Sequence, residues 1–397
     1  MRYLDHNATT PLDPRVRDAV IAALADPLLQ GNPASVHSTG QRARAVVEQA
    51  RRAVARALGA EALEVTFTSG GTEADNLALL GAARVLRAGG RPAGLLTSPL
   101  EHPAVLVAAR RLAREGHAVA LVAVDAAGRI GPDALRAALR ENPELGVVSL
   151  AAANHVLGNA YDIPALVRVV RETAPHVLFH CDAVQAFGKL PLDFHAWDLD
   201  LLSVSSHKIY GPKGVGALVH RRRLALDPLL LGGQQERGRR AGTEPVASLA
   251  GFGLAAQLVA SELTARHAHV VALADRLRAG LANMSEVTVH GDRERRVGNT
   301  VSAGFHGCDA QLLAMNLDLA GIAVSYGAAC SSGTPEPSPV LLALGLTPAA
   351  ARSALRISFG AGNTADDVDA LLAALPEAIA RVRGAEGGGD WREVTPS

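Results

Sequence analysis

The sequence predicts an α/β protein: a large domain on a mostly parallel seven-stranded sheet with helices on both faces, and a smaller α+β domain after it. Three observations carry this expectation. Seven short apolar runs are separated mostly by Ala/Leu/Arg segments of helical length, a pattern that builds parallel sheets. The chain of 397 residues is longer than one hydrophobic core usually organises. Three of the apolar runs end in polar, reactive residues, as strands do at the ligand-binding edge of open α/β sheets.

In chain order, the first fifteen residues are too few to stand alone and are expected to dock onto the smaller domain. Gln41–Leu58 reads as a helix, with Val46, Val47, Ala50, Ala53, Val54, Ala57 and Leu58 at helical spacing and Gly59 as its stop. The predicted strands are Val65–Phe67, Gly94–Leu96, Ala118–Val122, Val147–Leu150, Val177–Phe179, Leu199–Val204 and Val215–Val219. A long helical stretch, Ala256–Asn283, opens the smaller domain. Strands near Val287–His290 and Thr300–Ser302, a helix at Asp309–Ala320 and a strand at Ile322–Ser325 follow. A late helix has Thr364 and Asp367 at capping-box spacing. The expected division is residues 16–255 for the large domain, 1–15 with 256–383 for the small one, and a mobile tail at 384–397.

Composition narrows the function classes. Lys+Arg and Asp+Glu balance at 39 each, which gives no general attraction to nucleic acid or to an anionic membrane. No uninterrupted apolar run approaches the length of a bilayer span, and Asp5, His6 and Asn7 stand where a signal peptide would be apolar. The expectation is a soluble cytoplasmic protein. Three cysteines, Cys181, Cys308 and Cys330, are too few and too scattered for a disulfide framework or a four-cysteine zinc site. The histidines are not at metal-ligand spacings, and no HExxH or GxSxG occurs, so neither a metal nor a serine triad is expected.

Of the 39 basic residues only Lys189, Lys208 and Lys213 are lysine. A chain that writes positive charge as arginine keeps lysine where an amine is wanted, because a guanidinium cannot lose its proton to become a nucleophile. Lys189 reads as a surface residue and Lys213, in a Gly-Pro-Lys-Gly turn, as structural. Lys208 lies in Ser203-Val204-Ser205-Ser206-His207-Lys208 at the end of an apolar strand, where it can condense with a carbonyl group. Thr68-Ser69-Gly70-Gly71-Thr72-Glu73-Ala74 follows another strand and opens a helix, which suits a phosphate although it is neither a nucleotide P-loop nor GxGxxG. His180-Cys181-Asp182-Ala183-Val184-Gln185 closes a third strand, so Asp182 can face a protonated ring nitrogen; Cys181 reads as a core residue. A phosphate cradle, a lysine and an acid together specify pyridoxal 5′-phosphate.

These segments, with others, make the chain resemble the cysteine desulfurases of the NifS/IscS type, in the class V aminotransferase group of fold-type I pyridoxal phosphate enzymes. The matching segments are Tyr3–Thr10, Gly31–His37, Thr68–Ala74, Glu101-His102, the Asp182 and Lys208 segments, Gly238–Thr243, Gly327–Gly333 and Ser353–Gly360, nearly the whole chain. The resemblance implies that Lys208 bonds the cofactor, Asp182 faces its ring nitrogen and Gln185 its ring oxygen. It also implies that His102 stacks on the ring and moves protons, and that Asn154 borders it. Gly71, Thr72, Ser205 and His207 would hold the phosphate, joined by Thr243 from the second subunit of a homodimer. Arg356, Asn32 and Asn154 would bind the substrate carboxylate, a group that a guanidinium grips bidentately. Cys330, in a small polar stretch punctuated by prolines, would accept the sulfur as a persulfide. The implied reaction turns L-cysteine into L-alanine and passes sulfur to a protein acceptor, an iron–sulfur scaffold or another sulfur carrier.

Two places depart from the pattern: Tyr326 stands near Cys330 where a small residue is usual, and a second lies after Asn154. Where the family reads Asn-Asn-Glu-x-Gly, this chain has Asn154-His155-Val156-Leu157-Gly158, which keeps selenocysteine lyase, C–S lyase, aminotransferase and weakened sulfur-handling scaffold as alternatives.

Overall fold

The computed structural model describes residues 1–326 and 337–387. After a short N-terminal strand β1 (Arg2–Tyr3) comes the large sheet. Its strands are β2 (Val65–Thr68), β3 (Gly94–Thr97), β4 (Val119–Leu121), β5 (Leu145–Ala151), β6 (Leu178–Asp182), β7 (Leu201–Ser205) and β8 (Gly216–His220). They lie side by side in the order β2-β8-β7-β6-β5-β3-β4, and only β8 runs against its neighbours. Each predicted apolar run is a strand of this sheet. The runs lack polar alternation because both faces are covered: β2, β3, β5, β7 and β8 are buried at every residue, while β4 is the solvent-facing edge.

The helix Ser38–Ala57 buries Ala43, Val47, Ala50 and Val54, one stripe at helical spacing, and His37 caps it by accepting the Gly40 N–H on Nδ1. Gly59 has φ +62, and a Cβ there would strike the Asp193 carboxyl at 2.5 Å, so glycine is required at this stop. The longest helix, Val246–Leu281, begins earlier than the sequence pattern suggests and crosses between two cores. Leu249, Phe252, Ala255, Ala256 and Val259 pack with the large sheet; Val270, Leu273, Ala274, Leu277 and Leu281 pack in a second core. Gly253 lets this helix approach closely, since a Cβ there would lie 2.7 Å from Ala50 Cα.

The second core lies against β9 (Val287–His290), β10 (Thr300–Phe305), β11 (Ile322–Ala323), β12 (Ser325–Tyr326) and β13 (Ala354–Ser358). β12, β13, β10 and β9 form an antiparallel sheet, whereas β11 pairs with β1 in parallel. The single strand expected at Ile322–Ser325 is therefore two short strands with different partners. β13 escapes the sequence pattern because Arg356 interrupts an apolar run. Leu4 is fully buried in the second core, and the helices Ala310–Leu319 and Ala365–Gly387 cover the sheet. Asp367 accepts the Thr364 N–H at 3.0 Å at the start of the latter. That helix runs past position 384, where the sequence places a tail. Cys330 lies outside the described residues.

Candidate active site

A cavity of about 280 Å³ opens at the C-terminal ends of five strands of the large sheet. Gly71 and Thr72 follow β2, His102 follows β3, Ala153 and His155 follow β5, Asp182, Val184 and Gln185 end β6, and Ser205, His207 and Lys208 end β7. Ala8, from the N-terminal segment, closes the wall. Parallel strands place their loops on one edge, so residues more than a hundred positions apart share one pocket.

Lys208 leaves β7 through the 3₁₀ turn Ser206–Lys208. Its Nζ donates to the carbonyl oxygens of Asn7 at 2.5 Å and Ala8 at 2.8 Å. Other residues of the lining suit a phosphate. Among the described residues the buried Ser205 hydroxyl has no hydrogen-bond partner, and His207 Nδ1 is hydrogen-bonded to Thr9 Oγ1 at 3.1 Å. A Cβ on Gly71 would come within 2.5 Å of Val184 Cγ2, so only glycine leaves this corner open.

The floor is acidic. Asp182 accepts the Val184 N–H at 2.9 Å, and burial raises its carboxyl to about 6. Burial, with Asp182 next, pushes Glu101 up to about 8; the same two causes hold Asp75 well above the usual carboxylate range. Among the described residues, one Glu101 oxygen and one Asp75 oxygen are buried without a hydrogen-bond partner, the latter 3.6 Å from His180 Nε2. Burial favours the protonated forms of Glu101 and Asp75, whereas Asp182, at about 6, is largely ionised at neutral pH and favours a positive group beside it.

His102 caps the helix Pro103–Arg114, its Nδ1 accepting the Ala104 N–H at 3.1 Å. That bond leaves the neutral ring's proton on Nε2. Burial first, and the Lys208 charge second, lower its pKa to about 4, so the ring is a neutral Nε2–H donor at ordinary pH. His155 meets it edge-to-face at 5.3 Å between ring centroids, and burial, then His102, hold its pKa well below the usual histidine value. Its backbone oxygen accepts from Arg356 Nη1 at 3.1 Å. Arg356 also donates Nη2 to Asp5 at 2.6 Å, while its buried Nε has no partner.

Not every sequence-derived residue converges here. Asn154 stands behind the wall: its Oδ1 accepts the Val156 and Leu157 N–H groups, and its Nδ2 donates to the Leu100 carbonyl. Asn32 and Thr243 are exposed and do not line this chain's cavity. Lys189, read from sequence as a surface residue, is instead part of the site's framework. Its Nζ donates to Gln185 Oε1 at 2.7 Å and Asn7 Oδ1 at 3.1 Å. The N-terminal segment covers it, a tertiary contact that the local Gly-Lys-Leu-Pro sequence does not announce. Asn7, Asp75 and Glu101 were not singled out either; Asn7 and Glu101 lie inside matched motifs, and Asp75 directly follows one.

Residues 2–371 match the family described as Aminotransferase class-V. A cysteine desulfurase IscS of Anaeromyxobacter sp. (strain Fw109-5) is 43% identical over 385 residues, 96% of this chain and 93% of that protein. Among solved structures, a NifS-like protein superposes with a TM-score of 0.89 at 34% identity, covering 96% of this chain and all of the other. A structure of SspA in complex with cysteine gives a TM-score of 0.78 at 31% identity, over 91% of this chain and 99% of the other. The chain belongs to the class-V aminotransferase family of α/β enzymes with a mostly parallel central sheet. Within that family its place is among the cysteine desulfurases.

Proposed function

We propose that the protein works as a homodimeric cytoplasmic cysteine desulfurase, holds pyridoxal 5′-phosphate in this cavity, and moves sulfur from L-cysteine through Cys330 to a protein acceptor such as an iron–sulfur scaffold. The observation that carries the reading is the convergence of Lys208 Nζ, the buried acid Asp182 and the unpartnered Ser205 hydroxyl on one pocket. The residues fit the group: Gly71, Thr72, Ser205 and His207 suit its phosphate, Asp182 a protonated ring nitrogen, Gln185 the ring oxygen, and Lys208 its aldehyde carbon. Thr243 is assigned to the phosphate of the partner subunit.

When bound, the cofactor supplies an electron sink for the bonds at the substrate Cα. Asp182 holds the proton that keeps that sink electron-poor. Arg356, tethered by Asp5 and the His155 carbonyl, presents its guanidinium to the substrate carboxylate. Lys208 Nζ takes the Cα proton, its position fixed by the Asn7 and Ala8 carbonyls. His102 offers its Nε2–H as a hydrogen-bond donor to the substrate, and the proton that the Cys330 thiol loses ends on the substrate Cβ as the methyl group of alanine. The Cys330 thiolate attacks the substrate sulfur and the Cβ–S bond breaks. L-Cysteine and a Cys330 thiol thus become L-alanine and a Cys330 persulfide, with no atom or electron left over.

Incubation with L-cysteine, reading alanine and the mass of the Cys330 peptide together, tests this. Alanine formation with one added sulfur on that peptide is the expected result. Sulfide release with an unmodified peptide in the absence of acceptor contradicts it.

A further inference from the structure

In a chain with three lysines and thirty-six arginines, a half-buried lysine whose amine is held by two side-chain amides is an exception that calls for a cause. Lys189 follows Gly188, whose φ of +74 and tight approach to Ile209 Cγ2 (2.9 Å for an added Cβ) turn the chain inward after β6. Its Nζ reaches two side-chain amide oxygens, Gln185 Oε1 and Asn7 Oδ1. Both amides lead to the cavity. Gln185 Nε2 donates to the Asn7 carbonyl at 2.9 Å, the same oxygen that receives Lys208 Nζ. Asn7 is tied on its other side to the second lobe, through Asn299 Nδ2, Thr300 Oγ1 and Ser358 Oγ.

We propose that Lys189 is a positioning residue: its amine fixes the orientation of the Gln185 and Asn7 amides and, through the shared Asn7 carbonyl, the placement of the Lys208 amine. The chemistry is one of donors. The Lys189 amine donates to both of these oxygens, so each amide turns its oxygen toward Lys189 and its NH₂ away. For Gln185 that aims Nε2 at the Asn7 carbonyl. If Lys189 is removed, both amides can flip, and the oxygen that anchors Lys208 loses its fixed setting. The role needs a compact donor in either protonation state, since a neutral amine still has two N–H groups. Burial, then the Lys208 and Arg356 charges, hold the Lys189 pKa well below its ordinary value. A planar, always-charged guanidinium would bring more donors than this buried site has acceptors, which accounts for a lysine where the chain otherwise writes arginine.

The inference rests on the assignment of pyridoxal phosphate to this cavity, and the holoenzyme tests it. K189M should lower kcat and cofactor affinity about tenfold each, the worth of one charge-assisted hydrogen bond, and should move the midpoint of the cofactor's pH-dependent absorbance. KM for L-cysteine should stay within about twofold, since no substrate contact is lost. Because Gln185 is one of the two amides that Lys189 sets, K189M placed on Q185A should cost less than K189M on the parent. K189R should show the loss seen in K189M. If K189M does not accumulate as folded protein, K189R with Q185A completes the same cycle. A K189M or K189R enzyme with parental absorbance titration, affinity and kcat overturns the proposal, as do losses that multiply with Q185A. A parent protein that takes up no pyridoxal phosphate refutes the cofactor assignment instead.

Discussion

Replacing Glu236 by alanine should cost about 3–5 kcal/mol of unfolding free energy. Glu236 and Arg51 form a bidentate ion pair at 2.6 and 2.8 Å, with side chains only 2% and 4% exposed. Glu236 also accepts the Phe67 N–H at 2.9 Å, and Arg51 lies 4.6 Å over the Phe67 ring. The substitution strands a buried guanidinium and a strand N–H together, the situation in which an ion pair counts most. Glu236 and Arg237 sit in the left-handed region, φ +48 and +59, a conformation costing roughly 1–2 kcal/mol per residue that the ion pair must offset. Arg51 keeps Glu48 at 3.0 Å, which keeps the loss from exceeding this range. The site depends on the outcome, since this anchor ties the segment leading to Thr243 to the large core. Chemical denaturation of parent and E236A measures the effect, with E48A as a control expected to lose under about 1 kcal/mol. A loss below about 1 kcal/mol in E236A would refute the argument that this pair is desolvated and uncompensated.

Glu101, with its pKa raised to about 8, binds a proton in the folded state that the unfolded chain has released above about 4.5. Its contribution to stability is therefore present at low pH and lost as pH rises toward 8, at up to about 1.4 kcal/mol per unit. E101Q should flatten that fall, and identical slopes in parent and variant between pH 5 and 8 would contradict the burial argument. R356K should raise KM for L-cysteine about tenfold with a smaller change in kcat, because a bidentate carboxylate grip is lost; steady-state kinetics with an unchanged KM would remove Arg356 from the substrate site. C330S should keep the cofactor absorbance and form no persulfide, and unchanged turnover to a sulfur acceptor would show that this thiol is not on the path.

The large sheet is legible in the sequence because burial on both faces leaves uninterrupted apolar runs, and the site is legible because three of those runs end in reactive residues. What sequence misses is set by distant contacts. Arg356 breaks the apolar run of β13, yet is buried there because Asp5 and the His155 carbonyl receive its guanidinium. Lys189 sits in an aperiodic segment that gives no sign of a tertiary role, and it is half-buried with its amine on the Asn7 and Gln185 amides. The acidic cluster is invisible for the same reason: Asp75 lies in the helix Gly71–Asn76 after β2, Glu101 follows β3 and Asp182 ends β6, so they meet only in the fold. The helix Val246–Leu281 serves two cores in succession, so its apolar face changes partner midway and its first turns carry a weak periodic signal.

Reduction of the pyridoxal-phosphate-loaded protein with borohydride, followed by peptide mass mapping, tests the central claim most directly. The account predicts one stable adduct of cofactor mass, on Lys208. An adduct on Lys189 or Lys213, or none at all, would contradict it.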